Sequence, residues 1–140
     1  MTYDRGALSA AGAALLDTLA AVHLRGHQNS YANRYTITVP GGHIVEVMIE
    51  KGDGNLFHLW CEEDKVPRLL SDPQYPKRYA ASELWTKIGK DGEPSYGRHS
   101  ALEKMDRLGN ADLVRFTPTS IKEIGDIIDA LFSASRLGSP

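Results

Sequence analysis

Apolar residues change their period along the chain, and the changes predict its elements. From Leu8 the positions Leu8, Ala11, Leu15, Leu19 and Val22 keep the three-and-four spacing of an amphipathic helix, expected from about Ser9 to Arg25 with Gly26 as its stop. The period then drops to two. Tyr35, Ile37 and Val39 alternate with Thr36 and Thr38, Val45, Val47 and Ile49 with Ile44, Glu46 and Met48, and Phe57, Leu59 and Cys61 with His58 and Trp60. Pro40-Gly41-Gly42 and Gly52-Asp53-Gly54 separate these three strands, so both connections are predicted to be antiparallel hairpins.

A one-residue slip would turn a strand's apolar set outward, which restricts the register. The expected pairs are Ile37 with Val45 and Tyr35 with Val47, then Ile49 with Phe57, Val47 with Leu59 and Val45 with Cys61. The opposite face collects Arg34, Thr36, Thr38, Ile44, Glu46, Met48, His58, Trp60 and Glu62, a mixed surface that is either solvated or used.

Further along, Ala81 to Ile88 reads as a short helix. Ser100-Ala101-Leu102-Glu103 is a capping box that predicts a helix from about Ala101 to Leu108. Asp112 to Phe116 reads as a fourth strand, and Ser120-x-x-Glu123 opens a last helix with Ile121, Ile124, Ile128, Leu131 and Phe132 on one stripe. The expected fold is α+β: an N-terminal helix, a three-stranded antiparallel meander, short helices, a fourth strand and a C-terminal helix. The first and last helices should pack on one sheet face. Residues 1–134 are assigned to a single domain and 135–140 to a flexible tail.

Composition narrows the function classes. The chain has 140 residues, 41% of them hydrophobic and 24% charged, enough for one core. No apolar run approaches the roughly 18 residues of a membrane span, and no basic stretch leads into an apolar one as in a signal peptide. The single cysteine, Cys61, has no partner for a disulfide or a Cys-x-x-Cys site, so a cytoplasmic protein without membrane contact is expected. A net charge of −2 argues against bulk nucleic-acid binding. Charge is nevertheless uneven: residues 65–108 hold 9 basic and 6 acidic side chains, whereas residues 1–64 hold 4 and 8.

Several constellations invite chemistry. The order of elements also matches the core of metal-dependent nucleases of the restriction-endonuclease kind, which need a second-strand acid and a third-strand Glu-x-Lys. Glu46, Glu63 and Lys65 would fill those roles, although alternation places Glu63 and Lys65 on the face opposite Glu46. On the mixed face, Glu46 opposite Trp60 would have His58 and Glu62 as diagonal neighbours, a set that could hold a cation. A half-exposed face shielded by Trp60 is the simpler account. His23 and His27 form an i, i+4 pair beside Gly26, and Cys61 on the apolar face reads as a small buried hydrophobe rather than a nucleophile. No Gly-x-Ser-x-Gly, Walker loop or dinucleotide fingerprint is present, and no cofactor is expected.

The basic middle segment is the remaining candidate. Tyr96-Gly97-Arg98-His99 precedes the capped Ser100, where free N–H groups and the helix dipole favour an anion. Tyr75, Lys77, Arg78 and Tyr79 interleave aromatic and basic groups nearby, followed by Trp85, Lys87 and Lys90. Such a mixture suits a protein interface or single-stranded nucleic acid. The expectation is a non-enzymatic interaction protein that recognises an anionic surface of a macromolecular partner, protein favoured over nucleic acid, through Tyr75, Lys77, Arg78, Tyr79, Tyr96, Arg98 and His99. The metal-dependent nuclease is the alternative.

Overall fold

The computed structural model describes residues 5–27, 32–39, 42–50, 57–66, 69, 77–85, 87–96, 102–103 and 105–133. Helix α1 (Arg5–Leu19) buries Leu8, Gly12 and Leu16. A Cβ at Gly12 would stand 3.0 Å from the Phe57 ring, so glycine is what lets that ring approach the helix. The helix stops short of the predicted Arg25. Past Leu19 the backbone pairs as an edge strand, β1 (Ala21–Val22), with β2 (Ala32–Thr38), and sheet hydrogen bonds replace helical ones. Leu19 and Val22, which the helical reading buries, are 46% and 56% exposed.

Strands β3 (Ile44–Glu50) and β4 (Leu59–Glu62) continue the meander. After them come β5 (Lys77–Tyr79), β6 (Lys87–Ile88), β7 (Pro94–Ser95), β8 (Leu113–Phe116) and helix α2 (Ile121–Phe132). The main sheet has six strands in the order β1-β2-β3-β4-β8-β5, each pair antiparallel, so it is wider than the predicted four. Strand β8 enters between β4 and β5. The short helix expected over Ala81 to Ile88 is reduced to a 3-10 turn at Ala81–Glu83, and strands β6 and β7 form a separate hairpin turned at Asp91-Gly92, with Gly92 at φ 81°. Trp85, at φ 64°, takes a left-handed backbone conformation that a helix over 81–88 could not contain.

The first hairpin has the predicted register, Ile37 opposite Val45 and Tyr35 opposite Val47. The second is displaced by two residues, with Ile49 opposite Leu59 and Met48 opposite Trp60. A shift of two leaves every side chain on its face, so alternation alone does not exclude it.

One face carries Tyr35, Ile37, Val45, Val47, Ile49, Leu59, Cys61, Val114 and Phe116 against Leu8 and Leu16 of α1 and Ile124, Ile127, Ile128 and Leu131 of α2. Ser120 caps α2 by accepting from Glu123 N at 3.2 Å, while the Glu123 carboxylate reaches back to the Thr119 hydroxyl at 2.9 Å. The mixed face is covered as well. Leu102, Met105 and Leu108 pack there on Ala32, Met48, Trp60 and Leu113 as a second core. Among the described residues of 102–108 the covering segment forms a 3-10 and other turns rather than the predicted α-helix, and the Arg107 and Leu108 N–H groups donate to Glu46. Among the described residues no helix is long and apolar enough to cross a membrane.

Candidate functional site

Cross-strand register arranges the mixed face in rows. One row runs through Arg34 on β2, Met48 on β3, Trp60 on β4, Arg115 on β8 and Lys77 on β5, each residue the direct partner of the next. Arg34 is buried, and the row emerges into solvent at Lys77. On one side lies a row containing Ala32 and Glu50, with His58 paired to Glu50 by the bond from Glu50 N to His58 O at 2.9 Å. On the other, Thr36 faces Glu46, Leu113 faces both Glu62 and Tyr79, and the β3–β4 register continued by two residues sets Glu46 opposite Glu62.

The acidic row is a structural knot. Glu46 is 4% exposed; its Oε2 lies 2.7 Å from Nε2 of His23, and its Oε1 accepts from the N–H groups of Arg107 at 2.8 Å and Leu108 at 2.9 Å. His23 Nδ1 accepts from Arg25 N at 3.0 Å, so the ring proton sits on Nε2 and is donated to Glu46. Glu62 is buried with Oε2 lacking a hydrogen-bond partner and the Arg107 guanidinium 3.9 Å away. Burial, aided by repulsion from Asp64 and Glu46 and opposed by the pull of Lys65 and Arg107, pushes the Glu62 carboxyl above its ordinary range.

This geometry corrects the proposed cation set of Glu46, His58 and Glu62. The two-residue displacement puts Glu62 directly across from Glu46 and moves His58 beside Glu50, about 13 Å along the strand from Glu62. His58 Nδ1 is 3.0 Å from the Thr117 hydroxyl. The nuclease triplet is divided among separate partners: Glu46 is saturated as described, Glu63 sits in a 3-10 turn with its Oε1 2.8 Å from Arg78 Nε, and Lys65 lies 3.9 Å from Asp64. Among the described residues no group of three His, Cys, Asp or Glu side chains could hold a metal ion. His23 and His27 are not on a helix; His27 Nδ1 accepts from Arg34 N at 3.0 Å. Cys61 is wholly buried, and burial pushes its thiol up, which keeps it protonated.

Of the binding candidates, Lys77, Arg78 and Tyr79 form β5, at one edge of the sheet, and the two basic side chains are exposed. Tyr79 stands 4.7 Å from Trp60, ring centre to ring centre, with Lys77 Nζ 5.2 Å over its ring. Tyr96 bonds through its hydroxyl to Gly109 O at 2.9 Å and meets the half-exposed Trp85 edge-on at 5.6 Å. Tyr75, Arg98 and His99 lie outside the described residues.

Sequence reasoning missed Arg115. Its guanidinium carbon lies 5.8 Å from the Trp60 ring centre and 5.6 Å from that of Tyr79, and its Nε is buried without a hydrogen-bond partner. The signal was an isolated cation within the apolar run Leu113-Val114-Arg115-Phe116. Comparison with known proteins leaves the site to be read from its own chemistry: no family model, no curated protein and no solved structure matches this chain.

Proposed function

We propose that the protein is a small non-enzymatic binding module of the cytoplasm that recognises an anionic surface on a partner protein through its basic, tyrosine-containing middle segment. The observation that carries this reading is the composition of β5: Lys77 and Arg78 project into solvent from an edge strand whose third residue, Tyr79, is wedged against Trp60. Edge strands often carry lysine to discourage sheet extension, yet that role requires no aromatic support beneath the charge. Tyrosine and arginine are the residues that most often anchor protein interfaces. Tyr96, held through Gly109, and Trp85 extend the aromatic surface along the same segment, and Tyr75, Arg98 and His99 belong to it by sequence.

The test is affinity capture from the source cell with the parent protein and the double variant Lys77→Ala, Arg78→Ala, each with and without nuclease treatment. A partner protein retained after nuclease and lost with the double variant is the expected result. Arg78 gives up only an exposed ion pair with Glu63, so the melting temperature should change little. Equal capture by both proteins, or capture abolished by nuclease, refutes the reading.

A further inference from the structure

We infer that Arg115 and Lys77, supported by the rings of Trp60 and Tyr79, form an oxyanion site that takes the carboxylate side chains of an acidic peptide segment. The inference rests on the proposed binding function and names the residues and ligand chemistry behind it. Lys77 and Arg115 are direct cross-strand partners. Like charges in that position have Cβ atoms about 5 Å apart and repel, so a sheet built for stability alone sets an acid opposite a base. Here neither cation has one. Among the described residues no carboxylate pairs with Lys77 or Arg115.

The acids in the flanking rows leave that charge standing. Glu50 accepts from Trp60 Nε1 at 2.7 Å, and Glu62 faces Arg107 from a buried position that favours its neutral form. Arg115 is therefore half-buried and stacked, with no counter-ion among the described residues, and its Nε has no hydrogen-bond partner within the fold. A guanidinium packed over aromatic rings keeps its N–H edge for a planar bidentate acceptor, and a carboxylate matches that fork. Lys77 adds a second charge at the solvent end of the row.

Two observations favour peptide over nucleic acid. Trp60 is only 3% exposed and its ring is covered by Tyr79 and Arg115, so it offers no free face for a base to stack on. The site also opens at the edge of the sheet, where an extended chain can run alongside β5.

The experiment measures binding of a fluorescent peptide of six consecutive glutamates to the parent protein, Lys77→Ala, Arg115→Lys and Arg115→Gln. A single-stranded DNA of equal charge and inorganic phosphate serve as competitors. Arg115→Gln should weaken peptide binding about tenfold or more, Arg115→Lys should recover part of the loss, and Lys77→Ala should weaken it without lowering the melting temperature. DNA of equal charge should compete less well than unlabelled peptide, and phosphate weakly. Unchanged peptide affinity in both Lys77→Ala and Arg115→Gln overturns the site, as does DNA outcompeting peptide. Because Lys77 is exposed, its variant keeps the test decisive if Arg115→Gln fails to fold. No peptide binding by the parent protein, together with a captured partner lost on changing Lys77 and Arg78, overturns this inference and leaves the binding function standing.

Discussion

His23 and Glu46 meet 2.7 Å apart beneath the second core, and their contact ties together parts of the chain that share no strand. The imidazole comes from the segment after β1, the carboxylate from β3, and the remaining Glu46 oxygen takes the backbone N–H groups of Arg107 and Leu108. Both carboxylate oxygens are engaged by the fold. Glu46→Ala would strand buried donors and is expected to cost about 3 kcal/mol or more, with Glu46→Gln milder because it keeps one acceptor for Arg107 and Leu108. Chemical denaturation of the two variants checks the order. A Glu46→Ala protein as stable as the parent would contradict this role.

Glu62 supplies a pH prediction. A carboxyl whose folded pKa is raised binds its proton more tightly folded than unfolded, so stability falls as pH rises from the ordinary value of 4.5 through the folded one. Glu62→Gln removes the titration. Its melting temperature should exceed that of the parent at neutral pH and converge with it near pH 4, where both side chains are uncharged. A variant less stable than the parent at pH 7 would mean that the 3.9 Å approach of Arg107 outweighs the burial of the acid.

Gly109 is the tightest point in the cover of the mixed face. A Cβ there would lie 2.5 Å from Met105 O and 2.8 Å from Leu102 O, both backbone atoms that cannot rotate away. Gly109→Ala should therefore loosen the segment and cost about 2 kcal/mol. Hydrogen exchange at Arg107 and Leu108, whose amides donate to Glu46, should accelerate more than exchange in β2.

Val47 lies fully buried in the middle of the helix-covered face, opposite Tyr35. Val47→Asp places an unpaired charge there and should abolish cooperative folding, as read by circular dichroism. A cooperative melt from this variant would mean that the faces of β3 are reversed.

What the sequence made legible was whatever depends on alternation and local caps. The faces of β2, β3 and β4, the register of the first hairpin and the Ser120 cap all follow from neighbouring residues. The second hairpin escaped because a two-residue slip preserves every face. The helix expected over 81–88 is cut to one 3-10 turn before the left-handed Trp85, and among the described residues of 102–108 no α-helix forms where the Arg107 and Leu108 amides donate to Glu46, distant in sequence. Lys77, Arg78 and Tyr79 stood out by composition. Arg115 did not, since the want of a counter-charge among the described residues is visible only once β8 is placed between Trp60 and Lys77.

The strand order also sets a timetable for synthesis. Among the described residues of the main sheet β5 pairs only with β8, which the ribosome makes later, whereas β2, β3 and β4 can pair as they emerge. Lys77, Arg78 and Tyr79 therefore leave the exit tunnel with no ladder to join. The basic edge comes into being only when Leu113 to Phe116 arrive to carry it. An unfinished chain therefore lacks this edge, which is complete only when the sheet closes.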